Sequence, residues 1–468
     1  RCHDQGAMTK VTRYLAVSPV LSAVGLPPRQ TLHLLGSLTE SKNLRDNEIQ
    51  GMTNADRTAD DPGKNGWMQG FPPSKDKRIR FAASSFYAWP QLRWSFSHLE
   101  ELMPTKSVWR GSGAGKPLPY NLQTFSDVII TTTRGEKLTW DEALAQTYAD
   151  GLIILHRGEI VFEEYFGASG PHVRHIIQSA NKSIVGVIAE SLIAEGRLDA
   201  GAMVSTIIPE LQDSAYGDAT VQQVLDMLIS MDFYEDYLDP RSEIWRFHQA
   251  TGMSPRKLDE DAEAASEAVA DVLPGVKKYQ EHGKAFAYRE PNIFVLGWIV
   301  RRAAGQDIAS QLSERIWQHI GAEHDGYYLL DASGAESSSG FTLRDFARFG
   351  ELVRTGGVND GQRLIPASVI DKIFKGGNPE LFAKAGLQTL PGWSYKSQWW
   401  MRHIDGRTCA VARGAHGQVL YIDPENDLVV ARIGSSPKAP STQIDHIFLP
   451  TLDEITKKIM GSKGAVSK

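Results

Sequence analysis

Ile176-Ile177-Gln178-Ser179-Ala180-Asn181-Lys182-Ser183-Ile184-Val185-Gly186 is the stretch that decides how this chain is read. Ile184, Val187, Ile188, Leu192 and Ile193 recur at helical spacing, which predicts a buried helix opening near Ser179 and ending near Gly196. Upstream, Leu152-Ile153-Ile154-Leu155 and the run from Ile160 to Phe166 flank His156-Arg157-Gly158-Glu159, a turn signal, so they predict an antiparallel hairpin. One helical turn separates Ser179 from Lys182, which puts both side chains on one face within hydrogen-bonding reach. The amides and dipole at a helix start favour negative charge on the serine oxygen. A serine hydroxyl is a poor nucleophile until a neighbouring base takes its proton, and a partly buried lysine is such a base.

Working outward, residues 198 to about 340 read as mainly helical, with Val221–Ile229, Asp259–Val272 and Asn292–Ala304 as segments, followed by Leu343–Val353. Val419–Ile422 and Leu428–Ile433 alternate around the turn Asp423-Pro424-Glu425-Asn426-Asp427 and predict a second hairpin. Strands early, helices in the middle and strands late predict an α+β fold, an antiparallel sheet flanked by helices. The sheet domain is expected over 146–197 and 341–468, with a helical insertion over 198–340. Residues 8–145 lack clean periodicity and are expected to form an irregular N-terminal extension packed on the core. Arg1–Ala7, ahead of Met8, read as a tag remnant. Lys10, Arg13 and the apolar stretch Tyr14–Leu26 have the outline of a secretion signal, but Pro19 interrupts it, so a cytoplasmic location is expected over a secreted or periplasmic one.

Composition narrows the function. The chain has 468 residues, 41% of them hydrophobic and 23% charged, with 50 Lys plus Arg against 56 Asp plus Glu. That mildly acidic balance argues against nucleic-acid binding, and no apolar run is long enough to span a membrane. Two cysteines, Cys2 and Cys409, exclude a disulfide scaffold and a cysteine-based metal cluster. His172-x-x-His175 lacks a third ligand and His-Glu-x-x-His is absent, so no metal and no other cofactor is expected. Neither a Gly-x-Ser-x-Gly elbow nor a phosphate-binding loop occurs.

Ser-x-x-Lys occurs four times, from Ser74, Ser179, Ser254 and Ser435. About two matches are expected by chance at average composition. Only Ser179 follows a hairpin and opens an apolar helix; Pro255 and Pro437 lie inside two of the others. A second element is Tyr288, in Phe286-Ala287-Tyr288-Arg289-Glu290-Pro291-Asn292 ahead of an apolar helix. Beside a lysine cation its pKa is expected to fall, which suits a proton relay. A third is Arg413-Gly414-Ala415-His416-Gly417-Gln418, whose small residues let a backbone N–H approach a substrate and join that of Ser179 in an oxyanion hole. His416 suits either a general base or a residue that orients backbone. Trp399 and Trp400 suit either a pocket wall or the core.

In order, spacing and context these elements resemble the serine β-lactamase, DD-peptidase and carboxylesterase superfamily. Within it they are most similar to the 6-aminohexanoate-dimer (nylon-oligomer) hydrolases. The likeness rests also on Ala219–Met227 and on Tyr234-Glu235-Asp236-Tyr237-Leu238-Asp239-Pro240, and it covers about residues 150–460. It implies Ser179 as nucleophile, Lys182 as its activator, Tyr288 as proton shuttle, and the amides of Ser179 and Ala415 at the oxyanion. It also implies Tyr237 over the substrate; Trp400 and His416 are expected, apart from the resemblance, as further substrate contacts. Two departures stand out. Glu290 occupies the place of an asparagine two positions after the tyrosine, although Asn292 follows. Ala412-Arg413-Gly414 replaces Lys-Thr-Gly, which weakens the case for a β-lactam carboxylate. The expected protein is therefore a serine hydrolase of small amides or esters, with a homodimer as the one assembly entertained. A β-lactamase or DD-peptidase-type enzyme, or a non-catalytic penicillin-binding-like protein, is the alternative.

Overall fold

The computed structural model describes residues 62–254 and 267–461. The signal-like stretch, residues 1–7 and most of Asp259–Val272 lie outside these residues. The strands that matter are β1 (Thr105–Val108), β2 (Ala149–His156), β3 (Glu159–Tyr165) and β4 (Arg174–Ile176), the last leading into α1 (Asn181–Ala194). After α2 (Pro291–Ala304) come β5 (Gly326–Leu330), β6 (Glu336–Thr342) and α3 (Leu343–Arg354). The chain closes with β7 (Ser394–Lys396), β8 (Trp399–Ile404), β9 (Arg407–Gly414), β10 (Gln418–Asp423), β11 (Leu428–Gly434) and α4 (Asp445–Gly461).

Seven of these strands form one antiparallel sheet in the order β7-β8-β9-β10-β11-β2-β3. Both predicted hairpins are in it, and β11 pairs with β2, which joins the early and late halves of the sequence. β2 is apolar without a break because the sheet is covered on both faces. Ile153 and Leu155 enter a core with Phe346, Phe349 and Val187, whereas Leu152 and Ile154 enter another with Phe448, Leu452 and Trp140. Each such fully buried side chain contributes roughly 1.5–3 kcal/mol of transfer free energy. The result is an α+β architecture with a helix-covered antiparallel sheet.

A second antiparallel sheet, β1-β5-β6-β4, adjoins the first helix of the site. Two of its strands fall in the range 198–340 that reads as helical. The reason is local: β6 is Glu-Ser-Ser-Ser-Gly-Phe-Thr, wholly buried yet polar, so no apolar alternation marks it. Residues before 145 also hold regular structure, namely β1, the hairpin Ile129–Thr131/Lys137–Thr139 and the helix Trp140–Gln146 with its Thr139–Glu142 capping box. These elements are too short for periodicity to show. Residues 67–103 add a small apolar cluster of their own, Trp67, Ile79, Phe86, Trp94 and Phe96, against Ile176, Tyr327 and Leu329 of the second sheet.

A buried charge cluster clamps this segment down. Arg93 lies 3.1 Å from Asp150 at the start of β2, and the other carboxylate oxygen faces His175 of β4 at 3.3 Å. Burial alone would raise the Asp150 pKa, but Arg93, His175 and the Ser435 hydroxyl outweigh it and hold the carboxyl below its ordinary value. Asp150→Ala removes the carboxylate that faces the buried guanidiniums of Arg93 and Arg432, and urea denaturation should show a loss of about 3–5 kcal/mol. A loss below about 1 kcal/mol would mean that water compensates the cations instead. Because the folded value is depressed, the contribution of Asp150 is complete above the unfolded carboxylate value of about 3.9 and fades as pH drops through the folded one.

Candidate active site

Ser179 sits in a single 3-10 turn, Gln178–Ala180, between β4 and α1, one step earlier than the sequence spacing suggests. Gln178 has φ 49°, a left-handed conformation that costs a side-chain-bearing residue on the order of 1 kcal/mol. The turn swings Ser179 out of the sheet while Lys182, in the first turn of α1, remains 3% exposed. Lys182 Nζ donates to Ser179 Oγ at 2.9 Å and to Glu290 Oε2 at 2.7 Å. Glu290 is the N-cap residue of α2, where the helix dipole favours its negative charge, and its side chain is 15% exposed. A buried lysine is tolerated here because it has an anion and a hydroxyl to donate to.

Tyr288, three residues before α2, is hydrogen-bonded to Ser179, and the Lys182 ammonium lies 5.3 Å from its ring centroid. Its titration runs opposite to the sequence expectation. Burial and the Glu290 charge push the phenol well above its ordinary value, against the smaller pull of Ser179 and Arg413. Tyr288 is therefore a neutral O–H donor at neutral pH, not a phenolate. The expectation counted the lysine and missed the carboxylate that neutralises it.

Ala415 follows β9 and lines the same cavity as Ser179. The approach depends on Gly414, where a Cβ would run into the Ile177 carbonyl and the Ala180 amide. Tyr237 lines this cavity too, and its hydroxyl donates to Glu235 Oε1 at 3.3 Å. Glu235 accepts from the Glu290 amide at 2.8 Å, and its pKa is raised to about 7, first by burial, then by Glu290, against Arg289. His248, also on the cavity, is held neutral by burial, its pKa lowered to about 4.

Trp400 and His416, expected as substrate contacts, do not line the Ser179 cavity; each stands behind a tyrosine that lines it or the neighbouring cleft. Trp400 packs on Tyr288, ring centroids 5.3 Å apart, and is partly buried against the second core. His416 is buried between the Ser436 carbonyl at 2.6 Å and the Tyr87 hydroxyl at 3.0 Å. Burial holds its pKa at about 4, and it serves to orient its neighbours. Asn292 is likewise a core residue, accepting from Tyr216 at 3.0 Å. His172 and His175 share no helix face: His175 faces Asp150, and His172 pairs with His324 at 3.0 Å. Among the described residues, no group of three or more His, Cys, Asp or Glu side chains is placed to hold a metal ion. No helix among them is long and apolar enough to cross a membrane.

Sequence reasoning missed Tyr87, Gln178, Ser338 and Glu235. The first three line the Ser179 cavity. Glu235 and Tyr237 lie on a neighbouring cleft of about 450 Å³ with Tyr288 and Arg289. Nothing periodic marks them; only the unusual Tyr-Glu-Asp-Tyr cluster signals Glu235.

With the geometry in place, similarity to known proteins becomes informative. The beta-lactamase family model matches residues 141–448. A 6-aminohexanoate-dimer hydrolase from Paenarthrobacter ureafaciens is 32% identical over 363 residues, 76% of this chain and 88% of that protein. A solved structure from Bacillus anthracis, provisionally identified as a 6-aminohexanoate-dimer hydrolase, superposes with a TM-score of 0.74 at 28% identity. It covers 83% of this chain and 99% of its own. The hydrolase EstCE1, which has promiscuous acyltransferase activity, matches at a TM-score of 0.53 and 12% identity over 68% of this chain and 96% of its own. At that identity the likeness bears on the fold alone.

Proposed function

This chain belongs to the beta-lactamase family, and from that premise we propose that it is a serine hydrolase cleaving a small amide or ester through an acyl-enzyme on Ser179. The observation that carries the reading is the buried Ser179–Lys182–Glu290 chain, at 2.9 and 2.7 Å, with Tyr288 on the same serine. In the reactive form the Lys182 ammonium, paired with Glu290 at rest, has first released a proton, and as Ser179 Oγ attacks the carbonyl carbon its proton passes to the resulting amine. Glu290 stabilises the ammonium as it forms. The amides of Ser179 and Ala415 receive the developing oxyanion. Tyr288, a neutral phenol beside Ser179, hands its proton to the leaving nitrogen or oxygen and recovers one from the Lys182 ammonium, which returns to the amine; water then hydrolyses the acyl-enzyme by the reverse path. The cavity over Ser179 is about 40 Å³, room for a few water-sized groups, and the body of a substrate has the larger cleft beside Tyr237 and Tyr288.

A β-lactam carboxylate finds less support. The one cation at the place of Lys-Thr-Gly, Arg413, is bound to Asp445 at 2.5 Å and sits 5.5 Å from the centroid of the Trp400 ring. Rapid mixing with p-nitrophenyl acetate should give a burst of nitrophenol equal to the enzyme, with mass spectrometry placing the acetyl group on Ser179. Nitrocefin turned over faster than that ester would instead favour a β-lactamase.

Tyr237 separates amide from ester chemistry. An amide nitrogen must be protonated and held in line before it leaves; Tyr288 supplies the proton, and the oxygen of Tyr237, a residue on the cavity wall whose own proton is given to Glu235, can accept an N–H of that nitrogen. Tyr237→Phe keeps the ring that packs on Trp245 and His248 and removes the hydroxyl. Amide hydrolysis should fall at least about tenfold more than ester hydrolysis. Equal losses on both would leave Tyr237 as a loop anchor.

A further inference from the structure

The Ser179 amide is aimed by the turn that leads into α1, but the Ala415 amide stands on no such helix start, so other groups must aim it. Ala415 opens a short turn between β9 and β10. Within it His416 has φ 61°, a conformation that a side-chain-bearing residue keeps where its surroundings hold it. The segment that follows β11 does part of the holding. His416 N donates to the Ala439 carbonyl at 2.9 Å, and Ser436 N donates to the His416 carbonyl at 3.0 Å. Pro437 and Pro440 fix φ at two places in that segment, which stiffens it. From β10, Gln418 Nε2 donates to the Ala415 carbonyl at 3.1 Å, and Gln418 is itself held by the carbonyl and amide of Gly434 at 2.6 and 3.0 Å. The buried Arg432 donates to the Gly417 carbonyl.

Ser441 completes the set. Its Oγ donates to the Gly414 carbonyl at 2.6 Å. The peptide between Gly414 and Ala415 is trans and planar, so its C=O and N–H point from opposite edges. Fixing the carbonyl therefore fixes the amide. Ser441 lies on the edge away from the reaction: Ala415 lines the cavity with Ser179, whereas Ser441 does not. A Cβ on Gly414 would run into the Ile177 carbonyl and the Ala180 amide, so this peptide is seated directly against the Ser179 turn. The following peptide, Ala415 to His416, is pinned by Gln418 and by Ala439. The chain is thus held on both sides of the Ala415 Cα, and on the Gly414 side the side-chain hydroxyl that holds it is that of Ser441.

We propose that Ser441 is a positioning residue of the oxyanion hole: without touching substrate, its hydroxyl turns the Ala415 N–H towards the oxygen that becomes negative as Ser179 attacks. The inference rests on the serine-hydrolase reading above and adds to it the group that presets one of the two donors. Presetting matters because a donor stabilises the transition state to the extent that it is already aimed when the charge develops. Loss of one such donor costs roughly 10²–10³-fold in kcat, and a donor that is free to swivel loses part of that.

Ser441→Ala removes the hydroxyl from the Gly414 carbonyl and lets the peptide swing. In rapid mixing with p-nitrophenyl acetate, the burst amplitude counts the folded, active sites and the burst rate reports acylation at each of them. The acylation rate constant should fall at least about tenfold, with the half-saturating ester concentration changed by less than about twofold. Phenylboronic acid, whose tetrahedral adduct on Ser179 puts an oxygen where the oxyanion forms, should bind more weakly by a similar factor. Ser441→Thr keeps the hydroxyl and should restore acylation to within about threefold of the wild type. A residue that merely anchored its loop would lower the Tm or the burst amplitude and leave the rate at each site unchanged. Acylation by Ser441→Ala within about twofold of the wild type, or an equal loss of rate in the Thr and Ala variants, overturns the assignment. Failure of the hydrolase reading is distinct, since the wild-type protein would then give no burst at all.

Discussion

Ser179→Ala is expected to lower turnover of any ester or amide substrate by roughly 10⁴-fold or more, to near background. The side chain supplies the atom that bonds to the acyl carbon, and no neighbour replaces it. Lys182 and Glu290 form an ion pair, Tyr288 is a neutral phenol, and His248 is held neutral with no carboxylate hydrogen-bonded to it that would make it a base for water. The loss should lie in kcat, with little change in KM, because the cavity walls remain. Thermal stability should change little, since the main-chain bond of the turn, Ala180 N to Ile177 O at 3.1 Å, does not involve the side chain and Lys182, though it loses the hydroxyl as an acceptor, keeps Glu290. Retention of more than about a hundredth of the activity would assign the nucleophile elsewhere. The double variant with Lys182→Ala should be little worse than either single one, as expected for groups that act as a unit.

How far the sequence spoke depended on the range of the interaction. The hairpins at 152–165 and 419–433 were legible because β-branched runs and a turn signal lie side by side in the chain. The Ser179–Lys182 pair was legible because one helical turn fixes its separation. Glu290 was visible only as a departure from an expected asparagine. Its meaning depends on Lys182, 108 positions away, and with that contact unknown the Tyr288 titration was read with the wrong sign. Tyr87 was beyond reach, since its partner His416 is 329 positions on and nothing in Ser85-Phe86-Tyr87 repeats or alternates. Trp400 stayed ambiguous for a different reason. Strand periodicity gives two faces, and both faces of this sheet are buried, so the sequence had no means of choosing the one turned towards the site.

Lys182→Ala is expected to cost nearly as much as loss of the serine, roughly 10³-fold or more in kcat/KM, and Glu290→Gln tells whether the lysine acts as a base. Lys182 faces Ser179 from its own element and Glu290 and Tyr288 from the start of α2. Glu235, Arg289, Arg413 and His248 are the further charged or titratable groups named by the electrostatics of this cluster. If turnover requires the neutral amine, kcat/KM rises with pH along an acid limb that belongs to the whole cluster. Glu290→Gln keeps the shape of the side chain and a hydrogen-bond acceptor but removes the anion that favours the ammonium. The limb should therefore move to lower pH, and the plateau should fall, because the ammonium formed during attack loses its counter-charge. The sign matters. A limb that moves to higher pH, or one that does not move, means that the essential deprotonation is on another group, Glu235 with its pKa of about 7 being the nearest alternative. Glu235→Gln distinguishes them: it should leave an acid limb in place if the lysine is the base and abolish it if the carboxylate is.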